Sequence, residues 1–184
     1  MIIETKRLSI RTFQEKDFAD TLAIYKDNET CRYLLHDPWT SETAQDFFKV
    51  KISNNQLKQD QMLNLAVVSQ DKVIGDLYVW YTDMRDTVEL GYSFNRAVSG
   101  NGFATEALQE LIHVLFEEID IHRIQVNIDS RNSPSKKLCE RLGMRKEGYF
   151  IADYWNKGEW TNSLVFGMLY SDFLKSVGPM NRSA

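Results

Sequence analysis

Alternating apolar and polar positions recur along much of this chain, and such alternation places successive side chains on opposite faces of a β-strand. The pattern predicts an early edge strand, a central hairpin, two further strands and a closing hairpin. The edge strand covers residues 8–11, and the central hairpin covers 64–69 and 73–81 with a turn at 70–72. The two further strands cover 88–94 and 123–129. The closing hairpin covers 149–155 and 160–169 with a turn at 156–158.

Apolar positions three and four residues apart predict helices between these strands. The strongest stripe lies within residues 105–119 and consists of Leu108, Leu111, Ile112, Leu115 and Phe116. Weaker patterns predict three more helices. One covers 17–25, one starts near residues 40–42 and continues to 52, and one covers 135–142 and is followed by Gly143 as its expected C-terminal cap.

The order of these elements predicts the fold class. Antiparallel strands come first, and the 105–119 helix then connects two strands as a parallel crossover. We therefore expect a mixed α/β protein with a central sheet flanked by helices. At 184 residues the chain is expected to form a single domain over 1–175, followed by a loose C-terminal tail over 176–184.

The composition, with 43% hydrophobic and 26% charged residues, is that of an ordinary soluble domain. A net charge of -4 argues against general nucleic-acid binding. Two distant cysteines and three scattered histidines show no metal-ligand spacing. No apolar run is long enough to span a membrane, so we expect no membrane partner. We also expect a cytoplasmic protein with reduced cysteines, without a metal or nucleic-acid partner, that is a monomer or a homodimer.

The segment 99–107 carries the clearest chemical signal. Small residues, including Gly100 and Gly102, connect a predicted strand to the strongest predicted helix. The free N–H groups and the dipole of a helix N-terminus favour an anion such as phosphate. The segment lacks the Lys-Ser/Thr of a nucleotide P-loop, and Thr105 replaces the third glycine of a dinucleotide fingerprint. A tight strand-to-helix connection without a ligand is the alternative.

Two motifs resemble the GNAT superfamily of acyl-CoA-dependent N-acyltransferases. Ser99-x-x-Gly102-x-Ala104 is similar to the pyrophosphate loop Gln/Arg-x-x-Gly-x-Gly/Ala, with Ser99 where Gln or Arg is usual. Residues 132–135 and 139–144 resemble the second motif, Asn-x-x-Ala/Ser followed by Tyr-Glu-Lys-x-Gly-Phe. Segments 4–11 and 33–38 resemble the RimJ/RimL-type branch, which contains acetyltransferases of ribosomal-protein N-termini.

The resemblance implies a strongly twisted GNAT-like sheet and acetyl-CoA as cofactor, with coenzyme A as a product. The pantetheine arm is expected along the backbone of Tyr92, Ser93 and Phe94, which could also polarise the acetyl carbonyl. The pyrophosphate and neighbouring groups are expected to contact Ser99, Gly100, Asn101, Gly102, Phe103, Ala104, Thr105 and Asn132.

Catalytic groups follow from the same comparison. Cys139 stands where the family has the tyrosine that protonates the leaving thiolate, so Ser135 is the expected donor, with a helix cap as its alternative role. Asp153 is the first choice for the base and Glu89 the second. The acceptor cleft is expected to involve Trp39, Trp80, Tyr81, Asp83, Met84, Asp86, Tyr154 and Trp155, for which core or hairpin packing is the alternative.

Three functions agree with these residues. The leading hypothesis is transfer of an acetyl group to a protein N-terminal α-amine by direct attack. The second is acetylation of a small amine such as a polyamine, an aminoglycoside or an amino acid. The third is an acyl-CoA sensor without turnover, because the tyrosine of the family is missing at Cys139.

Overall fold

The structure is a computed structural model that describes residues 2–177. Within these residues, eight strands form a single mixed sheet in the order β1-β2-β3-β4-β5-β6-β8-β7. The strands are β1 (Ile2–Glu4), β2 (Ser9–Thr12), β3 (Leu63–Ser69), β4 (Lys72–Tyr81), β5 (Thr87–Phe94), β6 (Arg123–Asp129), β7 (Arg145–Asn156) and β8 (Glu159–Leu169). Within this sheet β5 and β6 pair in parallel, and the other neighbours pair antiparallel.

Helices cover both faces of the sheet. They are α1 (Phe18–Tyr25), α2 (Asn28–Cys31), α3 (Ala44–Ser53), α4 (Phe103–Glu117), α5 (Ser133–Arg141) and α6 (Tyr170–Val177). The predicted stripe of α4 is buried in the larger apolar core, where each large side chain contributes about 1.5–3 kcal/mol. A second core holds residues of α1, α2 and α3 against the opposite face. The mixed α/β class predicted from the sequence is confirmed.

A buried ion pair lies inside the second core region. The Lys51 ammonium contacts Asp76, whose side chain is fully buried, and Tyr25 donates a hydrogen bond of 2.5 Å from its hydroxyl to Asp76 Oδ2. The ammonium also lies 4.5 Å from the centre of the Tyr25 ring. Hydrogen bonding and cation–π contact thus compensate for removing both charges from water.

The parallel pair β5–β6 is short. Its register runs from Thr87–Arg123 to Glu89–Gln125, although β5 continues to Phe94 and β6 to Asp129. Beyond Glu89 the two strands separate, while β5 keeps its pairing with β4 as far as Phe94. The separation opens a cleft between the two parts of the sheet.

Several predicted boundaries need correction. The strand predicted over 8–11 is not an edge, because β1 pairs with its outer side. Helix α4 begins at Phe103, so Gly102 is its N-cap and Thr105 lies inside it. Helix α6 continues through residue 177, past the predicted start of the tail at 176, and residues 178–184 lie outside the described part of the chain. Within residues 2–177 no helix is long and apolar enough to cross a bilayer.

Candidate active site

The cleft between β5 and β6 has a volume of about 360 Å³. It lies at the point where the two parallel strands separate, so backbone of both strands borders it. Its walls come from β4, β5, β6, the segment after α2, the start of α5 and the β7–β8 hairpin. The residues are Tyr33, Leu34, Leu35, Tyr78, Trp80, Glu89, Leu90, Gly91, Tyr92, Val126, Asn127, Ile128, Asp129, Asn132, Ser135, Tyr154, Asn156, Thr161 and Ser163.

Strand alternation divides this cleft into two sides. Glu89 pairs with Trp80 across β4 and β5, and Gly91 pairs with Tyr78, so these four positions share one face of the sheet. Tyr92 lies on the opposite face, where it packs against α5. We call the face of Glu89 the acceptor side and the face of Tyr92 the coenzyme side.

Glu89 is the carboxylate at the point of strand separation. Its Oε2 accepts a hydrogen bond of 2.8 Å from Gln125 Nε2, and Gln125 is its partner in the last parallel pair. Burial raises the pKa of Glu89 above its ordinary value, and the hydrogen bond from Gln125 opposes this shift. A carboxylate with a raised pKa is a stronger base and suits proton transfer from an amine.

Aromatic rings form the floor of the acceptor side. Tyr78 and Trp80 lie nearly parallel, with ring centres 6.0 Å apart. A Cβ at Gly91 would overlap the Tyr78 ring, so the absence of a side chain at Gly91 lets that ring lie across β5. This floor presents π-faces, which attract a cationic ammonium group.

Two segments meet above the acceptor side. Asn156 Nδ2 donates a hydrogen bond of 3.3 Å to the carbonyl oxygen of Leu34, and Lys157 Nζ donates one of 2.6 Å to that of Cys31. These bonds join the tip of the β7–β8 hairpin to the segment around α2. Tyr33 and Tyr154 therefore border the same opening from opposite elements.

On the coenzyme side, α5 begins at the cleft. The Asn132 side chain caps this helix by accepting a hydrogen bond of 3.1 Å from the backbone N–H of Ser135. Asn132 therefore has the capping role considered for Ser135, and Ser135 is the third residue of the helix. The Tyr92 hydroxyl lies 3.5 Å from the Ser135 carbonyl oxygen and 3.5 Å from Cys139 Sγ.

The glycine loop is exposed at the N-terminus of α4. Gly102 adopts φ +78° as the N-cap of the 15-residue helix α4, a conformation that favours glycine. Arg7 Nη1 donates a hydrogen bond of 2.9 Å to the carbonyl oxygen of Asn101, and the Arg7 guanidinium pairs with Glu106 at 2.6 Å. The loop is therefore fixed to the N-terminal segment, with its backbone open beside a guanidinium group.

Other predicted site residues lie outside the lining of this cleft. Trp39 is only 6% exposed and stacks on Tyr25 at 4.6 Å in the second core. Tyr81 packs against the larger core, and Trp155 is 57% exposed and packs edge-on against Trp160. Among residues 2–177, the cleft lining does not include Trp39, Tyr81, Asp83, Met84, Asp86, Asp153 or Trp155.

Asp153, the residue that the sequence favours as base, does not line the cleft. It lies between Phe150 and Tyr154, where the pairing of β7 with β8 shifts its register, and it is exposed. In the same irregular segment Ala152 has φ +49°. The bulge turns this stretch out of regular alternation, and Glu89 is the predicted base candidate that borders the cleft.

Sequence reasoning missed Tyr78 in the cleft lining and two residues outside the lining, Gln125 and Arg7, that hold Glu89 and the glycine loop. Tyr78 could have been found, because residues two apart on a strand share a face and Trp80 was already chosen. Gln125 and Arg7 could not, since each reaches its partner across a long stretch of chain. Among the described residues, no group of His, Cys, Asp and Glu has the arrangement of a metal site.

Comparison with known proteins agrees with this geometry. A sequence profile described as the acetyltransferase (GNAT) domain matches residues 7–145. The chain therefore belongs to the GNAT acetyltransferase family, and it is an acetyl-CoA-dependent N-acetyltransferase. It is 31% identical over 173 residues to the uncharacterized N-acetyltransferase p20 of Bacillus licheniformis, an alignment that covers 92% of this chain and 96% of that protein.

Two further relatives belong to the ribosomal-protein branch. The chain is 33% identical over 84 residues to the ribosomal protein uS5 alanine N-acetyltransferase of Escherichia coli, which covers 46% of this chain and 43% of that protein. The solved structure of RimL, a ribosomal L7/L12 α-N-protein acetyltransferase in complex with coenzyme A, matches with a TM-score of 0.80 at 16% identity. That match covers 92% of this chain and 98% of RimL. The resemblance to the GNAT superfamily is confirmed, and proteins of the RimJ/RimL type are among those that match the chain.

Proposed function

We propose that this enzyme acetylates a protein N-terminal α-amine in the cleft between β5 and β6. The observation that carries the proposal is the position of Glu89, a half-buried carboxylate with a raised pKa where the strands separate. Glu89 accepts the proton of the acceptor ammonium, directly or through a water molecule, and leaves a neutral amine as nucleophile. Asp153 is then a surface residue.

The residues around the cleft fit acetyl-CoA. The separated strands offer backbone along Leu90–Phe94 for a pantetheine arm, and the Gly102 loop offers N–H groups at the start of α4 for a pyrophosphate. When bound, acetyl-CoA supplies a thioester carbonyl that the amine attacks. The chain contributes backbone N–H groups for the carbonyl oxygen and, on the coenzyme side, the hydroxyls of Ser135 and Tyr92.

The acceptor side favours a polypeptide end. Tyr78 and Trp80 give the ammonium an aromatic floor, and Tyr154 leads out to exposed Trp155 and Trp160 on the hairpin. An extended peptide could contact these rings beyond its first residue, whereas a small amine would use only the inner cleft. The ribosomal relatives at partial coverage also support this acceptor class. A cytoplasmic location is part of the proposal, since both cysteines are free thiols.

The test is an acceptor panel measured by release of free coenzyme A thiol. Peptides with free N-termini, the same peptides with blocked N-termini, and small polyamines, aminoglycosides and amino acids are compared at equal concentration. We expect kcat/KM for free-N-terminal peptides to exceed that for every small amine, with no turnover of blocked peptides that lack lysine. Preference for a small amine would replace the acceptor in this proposal, and no turnover with any acceptor would favour a sensor.

A further inference from the structure

The sequence analysis assigns a role only to the backbone of Tyr92. Its phenol is a second chemical group at the cleft. The ring projects from β5 on the coenzyme side, is half-buried and borders the cleft. Both neighbours of its hydroxyl, the Ser135 carbonyl oxygen and Cys139 Sγ, lie at 3.5 Å. The distance to the carbonyl oxygen is at the long limit for a hydrogen bond, and a thiol sulfur is a weak partner, so the hydroxyl is weakly held and can turn toward a ligand.

The small side chain at Cys139 makes this arrangement possible. Cys139 is fully buried on α5, one turn after Ser135, and its Sγ is the atom that meets the phenol. A larger side chain at position 139 would occupy the space next to the hydroxyl. The strand therefore delivers a phenol to the wall of the cleft that α5 forms.

We propose that Tyr92 protonates the leaving sulfur, an inference that rests on the proposed acetyl transfer. The amine nitrogen forms a bond to the carbonyl carbon while the carbon–sulfur bond breaks and its electron pair stays on sulfur. Tyr92 gives its hydroxyl proton to that sulfur, which yields the free thiol. Glu89 takes one proton from the acceptor ammonium before the attack and releases it to solvent. The nitrogen loses a second proton as the amide forms, and this proton passes through solvent to the phenolate, so the enzyme ends unchanged.

Acidity favours Tyr92 over Ser135 for this role. An ordinary phenol has a pKa near about 10, close to that of a thiol, whereas an alkyl hydroxyl is a far weaker acid. Burial raises the pKa of Tyr92 above its ordinary value, and the neighbouring Cys139 adds to the shift. The phenol therefore carries its proton at neutral pH, as a donor must, although it is a weaker acid here than an exposed tyrosine.

The first experiment compares three variants by steady-state kinetics. Tyr92→Phe removes only the hydroxyl, Ser135→Ala removes the competing donor, and Tyr170→Phe removes a phenol hydroxyl that contacts Glu117 away from the cleft. We expect Tyr92→Phe to lower kcat at least about 10-fold with KM for acetyl-CoA within about twofold. Ser135→Ala should lose less, and Tyr170→Phe should match the wild type.

The second experiment needs no turnover. The pKa of the coenzyme A thiol is measured in each protein complex from the ultraviolet absorbance of the thiolate. If the Tyr92 hydroxyl donates to sulfur, its removal raises the pKa of the bound thiol, because the thiolate loses a hydrogen bond. Ser135→Ala and Tyr170→Phe should shift this pKa less.

The outcomes separate this inference from the proposed function. A Tyr92→Phe variant with kcat within threefold of an active wild type, or with an unchanged thiol pKa, overturns the role of Tyr92. A larger loss in Ser135→Ala than in Tyr92→Phe overturns it as well. A wild-type protein that neither binds coenzyme A nor releases it from acetyl-CoA would instead refute the proposed function.

Discussion

The position of Glu89 at the cleft lowers the stability of the folded protein. Its pKa is raised because burial disfavours the charged form, so the folded protein binds the Glu89 proton more tightly than the unfolded chain does. The resulting destabilisation is absent below the unfolded pKa and is fully present once the pH exceeds the folded pKa. At the residue scale, the proposed base therefore opposes folding at neutral pH.

This conflict gives the first prediction. Glu89→Gln should lower kcat at neutral pH at least about 100-fold and recover partly at alkaline pH, where the acceptor amine loses its proton without help. The same variant should be no less stable than the wild type in urea unfolding at neutral pH. Asp153→Asn is the matched control and should keep near-wild-type kcat. A slower Asp153→Asn enzyme beside a normal Glu89→Gln enzyme would return the role of base to Asp153.

The second prediction concerns the decrease of kcat/KM at acidic pH. Only the ionised carboxylate accepts a proton, so wild-type kcat/KM should fall as the pH drops through the raised pKa of Glu89. The midpoint should lie above 4.5, the ordinary value for a glutamate. The decrease should vanish in Glu89→Gln. A profile with the same acid midpoint in both enzymes would show that another group controls it.

The buried pair of Lys51 and Asp76 gives the third prediction. Removal of the ammonium in Lys51→Met leaves the Asp76 carboxylate uncompensated inside the core, which should lower the free energy of unfolding by about 3 kcal/mol. Lys49→Met is the control, because Lys49 forms an exposed pair with Asp46 and should change stability little. Urea unfolding measures both, and equal effects would argue against a special role for the buried pair.

At the scale of elements, the start of α4 joins backbone geometry to ligand binding. Gly102→Ala introduces a side chain at φ +78° in the loop proposed to hold the pyrophosphate. We expect the affinity for acetyl-CoA, measured by calorimetry, to fall at least about 10-fold because the loop must shift its N–H groups. This is the fourth prediction.

Gly158→Ala separates this effect from backbone strain. Gly158 has φ +81° in the turn of the β7–β8 hairpin, and a Cβ there would meet no neighbour within 4 Å, whereas a Cβ at Gly102 would lie 3.5 Å from Arg7 Nη2, an ordinary van der Waals contact. The Gly158→Ala variant should therefore lose about as much stability as Gly102→Ala, but it should keep normal affinity for acetyl-CoA. Equal affinities in the two variants would remove the loop from the binding site.

The same elements show what the sequence could predict. The stripe of α4 and the positive φ of Gly102 depend on local chain properties, so pattern and residue type were sufficient. Trp39, which the sequence assigns to the acceptor cleft, stacks on Tyr25 in the second core, a contact between distant residues that the local sequence does not indicate. The choice between Glu89 and Asp153 depended on where β5 leaves β6 and where β7 bulges. Neither feature has a clear local signature.

At the scale of the whole molecule, the sheet consists of two parts. Strands β1 to β5 form one part and strands β6, β8 and β7 form the other, and the short register from Thr87–Arg123 to Glu89–Gln125 joins them. Helix α4 and its buried stripe add a second connection, because the crossover packs on both sides of the junction. A ligand bound along β5 and β6 would add a third.

That third connection would link the lifetime of the protein in the cell to metabolic supply. A ligand that binds only the folded chain at 100 times its Kd adds about 2.7 kcal/mol to stability. Because so few paired residues hold the junction together, depletion of acetyl-CoA and coenzyme A would favour openings at this point and expose the chain to proteases. In starved cells the enzyme would then be degraded faster, so its abundance would follow the coenzyme pool on which it acts.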